Sequence, residues 1–265
     1  MPSRSRNLSP IVPDWPDLPA NMGALASTRQ GGVSVAPYDD GQGGGGLNLG
    51  LHCGDDAALV QQNRARLAAL LPGQPAWISQ VHGIAVVDAA SVRPGQPVQV
   101  ADASVASAPG VVCAVMTADC LPVLFADLEG KVVAAAHAGW RGLAGGVLSE
   151  TINAMRAAGA GDITAWMGPA IGPEQFEVGA DVLDAFIRGA PIGDVDALKA
   201  AFTPYPGREG KFLADIYTLA RLMLARDGVT RVAGGGHCTA TDSARFYSYR
   251  RDRVTGRQAS LIWIK

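Results

Sequence analysis

A single α/β domain built on a mixed sheet is the fold this sequence predicts. Three observations carry that expectation. Apolar strand-like runs alternate with amphipathic helical stretches, no linker or compositional break divides the chain, and 265 residues suffice for one large core.

The elements follow in order. Residues 1–22 hold Pro10, Pro13, Pro16 and Pro19 and read as an extended arm, leaving 23–265 as the folded domain. Residues 30–46 are glycine-rich and end in four consecutive glycines, which fits either a flexible surface loop or a loop that closes over a site. A helix is expected over about 56–71, opened by Asp55-Asp56 and stopped by Pro72-Gly73. Residues 77–81 read as a strand ending at His82-Gly83, and 110–116 as a buried strand. Residues 120–126 and 131–137 are apolar runs around the turn Asp127-Leu-Glu-Gly130, the pattern of a hairpin. A helix carries Val147, Leu148, Ile152 and Met155 on one face and ends at Gly159. Val178, Val182, Leu183, Phe186 and Ile187 mark another, and Ile216, Leu219, Ala220 and Met223 a third. Strands over 229–233 and 260–264 close the chain.

Composition excludes several classes of function. The chain is 48% hydrophobic and 17% charged, with a net charge of −2, which is no electrostatic footprint for nucleic acid or a membrane surface. No apolar run reaches membrane-spanning length. Residues 1–17 lack the apolar core of a secretory signal. Four cysteines in a chain of this size are no disulfide scaffold, so reduced thiols in a cytoplasmic protein are expected.

Reactive side chains gather at strand ends. If the hairpin loop is symmetric, Ala126 faces Lys131 and Cys120 pairs directly with His137, with Cβ atoms roughly 4.5–5.5 Å apart. A one-residue slip would send the two to opposite faces. His82 ends another strand, and the three can converge as a Cys/His₂ set. Such a set suits a tetrahedral Zn²⁺ with one position left for water or substrate. Equally, each residue can fill an isolated local role. Cys120 can also act as a nucleophile activated by His137. Asp119 is a candidate catalytic carboxylate, an orienter of a ligand histidine, or a turn former. The loop Gly139-Trp-Arg-Gly142 opens a helix. It fits an anion site with Arg141 beside it, or glycines that allow tight helix–sheet packing. Arg29, Arg141 and Arg251 are the candidate phosphate-binding cations. The pairs His52-Cys53 and His237-Cys238 read as structural.

These segments together resemble a known family. Thr28-Arg29 with Gly31-Gly-Val-Ser34, Asn48-Leu-Gly-Leu-His52 with Gly54-Asp-Asp56, and Ser79-Gln-Val-His-Gly83 come first. Thr117-Ala-Asp-Cys-Leu-Pro122, His137-Ala-Gly-Trp-Arg-Gly142, Gly168-Pro-Ala-Ile-Gly172 and Ser248-Tyr-Arg-Arg-Asp252 with Thr255-Gly-Arg257 follow in order. The set is similar to the YfiH-type laccase-domain family, also called polyphenol oxidase. The resemblance implies an α/β layered sandwich and a zinc held by His82, Cys120 and His137. It implies phosphorolysis of adenosine, inosine, guanosine and S-methyl-5'-thioadenosine, with deamination of adenosine as a companion reaction. Purine nucleosides and phosphate are then the expected partners. The chain departs from the family at Cys53, at Ala106-Ser107 and in the lengthened loop 43–46.

Two other classes remain open. One is an amidase editing cell-wall (peptidoglycan) precursors, using Cys120 as nucleophile or metal ligand. The other is a binding protein whose zinc is structural, closed by a fourth ligand from His52, His237 or Cys238. The laccase label itself fits poorly, because four histidines cannot supply a type-1 copper and a trinuclear cluster together. A single Cu²⁺ at the same Cys/His₂ set, with Met116 as a weak axial ligand, is the alternative to zinc.

Overall fold

The computed structural model describes residues 8–265. Residues 1–7, the start of the expected arm, lie outside the described residues. The chain runs through β1 (Met22–Ala26), β2 (Gln30–Ser34), α1 (Ala57–Ala68), β3 (Pro75–Ala76) and β4 (Val86–Asp88). It continues with β5 (Ala103–Ala106), β6 (Val112–Thr117), β7 (Leu121–Asp127) and β8 (Val133–Ala138), then α2 (Trp140–Gly145), α3 (Val147–Ala157) and β9 (Ile163–Met167). After these come β10 (Glu177–Gly179), α4 (Ala180–Ile187), α5 (Val195–Ala200), β11 (Phe202–Pro204) and β12 (Lys211–Ala214). Last are α6 (Ile216–Arg226), β13 (Arg231–Gly234), α7 (Tyr249–Asp252) and β14 (Gln258–Ile264).

Two mixed sheets pack face to face. One has the order β13-β9-β7-β8-β5-β4, the other β1-β14-β6-β3. A small sheet, β10-β12-β11, stands apart with α4 and α5. Alternation along the strands builds the layers. Val115, Ile262, Leu124, Val133 and Ala135 fill the space between the two sheets. Leu121, Val123, Phe125, Ala134 and Ala136 face the other way, onto α2, α3, α4 and α6. Leu67 of α1 covers the outer face of the smaller main sheet with Leu47 and Leu49. Strands β7 and β8 are therefore buried on both faces, which is why they read as continuous apolar runs. Among the described residues no helix is long and apolar enough to cross a membrane.

Local chemistry explains where the chain departs from its pattern. The expected strand over 77–81 shrinks to the two residues of β3, with a lone bridge from Ser79 to Val100. Gln80 is the cause. Its side-chain Nε2 donates to Met116 O at 2.8 Å while its Oε1 accepts from Met116 N at 2.8 Å. A side-chain amide thus takes the place of a neighbouring backbone at the end of β6. Val178 belongs to β10, and α4 starts only after Gly179. The glycine-rich loop is pinned: Gly32 N donates to Gly45 O, and Asp40 Oδ1 accepts from Gln42 N and Gly44 N. A Cβ on Gly46 would lie 1.9 Å from Tyr38 O, so the loop needs glycine for close backbone approach. The arm packs down as well, with Ile11 bridging Ala26 and Trp15 Nε1 donating to Thr164 Oγ1 at 2.9 Å.

The central hairpin differs from the symmetric expectation by two residues. Ala126 pairs with Val133 and Pro122 with His137. Asp127 stays in the strand, its N donating to Val132 O, and Lys131 moves into the turn. The Asp127 side chain sets this register: Oδ2 accepts from Lys131 N at 3.1 Å and Oδ1 from Gly161 N at 3.0 Å. Cys120 therefore sits one step beyond β7 and diagonal to His137. A shift of two preserves the face, so both still point the same way.

Candidate metal centre and its cavity

Three elements bring His82, Cys120 and His137 together. His137 lies near the end of β8, almost fully buried. Cys120 precedes β7, and His82 sits in the loop after β3 with φ 61. Their ligand atoms all lie within 4.8 Å of one another. His82 Nε2 is 3.6 Å from Cys120 Sγ, and the two imidazole rings meet edge to face at 4.8 Å.

Asp102, fully buried at the start of β5, organises this cluster. Its Oδ1 accepts from His137 Nδ1 at 2.8 Å and from His82 N at 2.9 Å. Its Oδ2 accepts from Gly83 N at 2.7 Å and Val81 N at 3.2 Å. One carboxylate therefore fixes the His137 tautomer, leaving Nε2 for the cluster, and holds the backbone of the His82 loop. Burial by itself raises the Asp102 carboxyl; the hydrogen bonds from His137, Gly83 and Val81 outweigh it and hold the group below the usual carboxylate range.

The electrostatics favour a thiolate. Burial opposes ionisation of Cys120, but the His137 and His82 imidazoles overcome it and bring the thiol to about 6. Burial likewise pushes His137 down, while Cys120 and Asp102 together lift it to about 9. Gly139 makes room for this: a Cβ there would lie 2.8 Å from His82 Cδ2 and 3.0 Å from Cys120 Sγ. A Cβ on Gly142 would meet Gly83 O at 2.8 Å. The glycines of this loop thus serve close packing, and α2 is only six residues long.

The cluster lines a cavity of about 530 Å³. His52, Gln80, Met116, Thr117, Tyr249 and Arg257 are among its other walls. The three expected phosphate cations lie elsewhere. Arg29 is buried, donating to Asp39 O and Ser243 O and stacked on Tyr247. Arg251 donates to Thr239 O, Ala240 O and Phe246 O and pairs with Asp252. Arg141 is exposed and lies over the Trp140 ring. Asp119 does not orient a histidine. At φ 91, its carboxylate accepts from Thr239 Oγ1 at 2.6 Å and Arg250 N at 2.6 Å. It joins the segment after β13 to the start of α7.

Sequence reasoning missed Asp102, which stands alone at a strand start with no periodic signal. It also passed over Arg257, seen only as part of the motif Thr255-Gly-Arg257, and read His52 as structural. The fourth-ligand candidates fall outside the cluster: His52 lines the same cavity without joining the set, Cys238 Sγ accepts from Gly172 N at 3.2 Å, and His237 packs against Phe246 beside Arg245. Among the described residues the set has three donors, so a bound ion keeps a coordination position toward the cavity. Met116, the expected weak axial ligand of copper, lines the same cavity, its Sδ 3.9 Å from Arg64 Nη2.

Fold and cluster together define a layered α/β protein carrying a Cys/His₂ constellation able to hold a metal ion. Residues 23–265 match the family described as multi-copper polyphenol oxidoreductase laccase, and the chain belongs to that family. Within it, the chain is 51% identical over 255 residues to a Pseudomonas aeruginosa protein named purine nucleoside phosphorylase, covering 96% of this chain and 98% of that one. It is 51% identical over 259 residues to the purine nucleoside phosphorylase YfiH of Escherichia coli, covering 96% and 98%. The crystal structure of a Neisseria meningitidis protein superposes with a TM-score of 0.86 at 48% identity, covering 98% of this chain and all of the other.

Proposed function

We propose that this protein is a zinc-dependent purine nucleoside phosphorylase acting on adenosine, inosine, guanosine and S-methyl-5'-thioadenosine, with adenosine deamination as a companion activity. The observation that carries this reading is the three-donor cluster open to a cavity large enough for a nucleoside. The names of the relatives supply the reaction class.

The donor set fits zinc. A tetrahedral zinc sets sulfur and nitrogen ligands roughly 3.5 Å apart. The His82–Cys120 distance of 3.6 Å already meets that spacing. A depressed thiol and a histidine whose other nitrogen is held by a carboxylate complete the pattern. When bound, zinc supplies Lewis acidity at the cavity floor.

The chain's own residues do the rest. His82, Cys120 and His137 hold the ion, and Asp102 orients them. The cavity walls strip water from the nucleoside and fix it beside phosphate. In phosphorolysis the C1′–N9 bond breaks, a phosphate oxygen bonds to C1′, and the departing purine takes up a proton. A cationic sugar develops on the way, so a phosphate held close both stabilises charge and supplies the nucleophile. No proton-donor role is assigned to Asp119 in this scheme; its oxygens accept from Thr239 Oγ1 and Arg250 N.

The test is product analysis after incubation with inosine and phosphate, beside a folded Cys120→Ser variant. Phosphate-dependent hypoxanthine and ribose 1-phosphate, lost in the variant, are expected. Absence of product with inosine, adenosine and methylthioadenosine overturns the reading. The low-lying Cys120 thiol also favours a second reading, a cysteine amidase on cell-wall precursors. Amidase activity that survives complete metal removal would establish it instead.

A further inference from the structure

The cavity is lined by more than the Cys/His cluster. Arg257 and His52 also contribute to its wall. Arg257 is locked in place: its N donates to Asn48 Oδ1 at 2.9 Å, and its Nη1 donates to Thr255 O at 3.1 Å and Gly256 O at 2.9 Å. Its Nε and Nη2 make no hydrogen bond among the described residues, and no carboxylate there pairs with it. A second guanidinium lies close to this wall, its Nη2 3.9 Å from Met116 Sδ. Arg64 donates to Leu49 O at 2.9 Å and stacks on Trp77 at 4.4 Å, again without a carboxylate. Two half-buried arginines lacking counter-ions beside one cavity form a site for an anion.

We propose that inorganic phosphate binds beside Arg257 and His52 in this cavity, with Nε and Nη2 of Arg257 gripping two of its oxygens and Arg64 adding positive potential nearby. This rests on the phosphorylase reading for the phosphate's role as co-substrate, and it replaces Arg29, Arg141 and Arg251 with one residue that faces the cavity. His52 fits as a neutral N–H donor: burial first, then Arg257 and Arg64, hold its proton affinity down. The metal cluster, Arg257 and His52 line the same cavity, so nucleoside and phosphate can be held together in it.

The test is protection from thermal unfolding by inorganic phosphate, measured on chelator-treated protein so that metal is not the anion's partner. Wild type and Arg141→Ala are expected to be protected alike. Arg257→Gln, with an unchanged melt in the absence of phosphate, is expected to need about tenfold more phosphate or greater. His52→Ala is expected to weaken protection by a smaller factor and serves if the Arg257 variant misfolds. Unaltered protection in both variants, or no protection of wild type, overturns the proposal. Protection by a nucleoside 5'-monophosphate but not by phosphate also overturns it. Phosphate protection lost in Arg257→Gln, together with no nucleoside cleavage by wild type, keeps the anion site and rejects the phosphorylase reading.

Discussion

Replacing Asp102 with asparagine is expected to loosen both histidines at once. Each carboxylate oxygen accepts two N–H groups: His82 N and His137 Nδ1 on one, Val81 N and Gly83 N on the other. An amide presents one oxygen and one NH₂. Whichever way it turns, two donors face a donor, and of the four only His137 Nδ1 is fully buried. An unsatisfied buried donor costs about 1–3 kcal/mol and a part-buried one less, so the folded state loses roughly 1–4 kcal/mol. For a chain of this size that lowers the melting temperature by roughly 3–15 °C. If the NH₂ faces His137, the ring must accept at Nδ1 and carry its proton on Nε2, the atom turned to Cys120. If it faces the loop, the backbone of His82 is released from φ 61. Either way zinc affinity should fall about 10–100-fold. Competition against a chromogenic chelator, with a thermal melt of the same samples, measures both quantities. A variant that binds zinc as wild type does and melts within about 2 °C of it would refute the organising role of Asp102.

Four further outcomes are expected. Gly139→Ala should fold but bind zinc weakly, since the new methyl would crowd His82 Cδ2 and Cys120 Sγ; metal content after dialysis checks it. Zinc affinity should rise about tenfold per pH unit between about 6 and 9, because the ion displaces the His137 proton, and more steeply below about 6, where it also displaces the Cys120 proton; a flat profile in chelator competition across that range contradicts the assigned ionisations. In metal-free protein the proton that Cys120 gives up is taken by His137, so the two shifts offset and a thermal melt is expected to change little through this pair between about pH 6.5 and 9. Gln80→Ala should cost about 1–3 kcal/mol by leaving Met116 N and O without partners, read as a lower denaturant midpoint.

What was legible in the sequence was whatever burial dictates. Strands β6, β7 and β8 are apolar on both faces, and the helix of Val147, Leu148, Ile152 and Met155 shows its buried stripe openly. His82 and His137 stood out because polar rings end apolar runs. The register was read two residues off, since Asp127 folds its own carboxylate into the turn and no hydrophobic pattern records that. The contact between Cys120 and His137 survived the error through parity alone. Arginine was the least legible residue. Arg29 and Arg251 spend their guanidinium groups on backbone carbonyls, which leave no trace in sequence, whereas Arg257 keeps two nitrogens for the cavity.

Strand β8 has a consequence for how such a protein changes over time. Ala134, Ala135 and Ala136 let two sheets and a helical layer close upon the middle of the molecule, and each is wholly buried. Any larger side chain there must separate layers that are packed on both sides. The strand bearing His137 is thus closed to gradual alteration. Ser79 and Tyr249 instead reach the cavity from outside the regular strands. New substrates can be explored by redrawing that rim one residue at a time, while the inner scaffold stays as inherited.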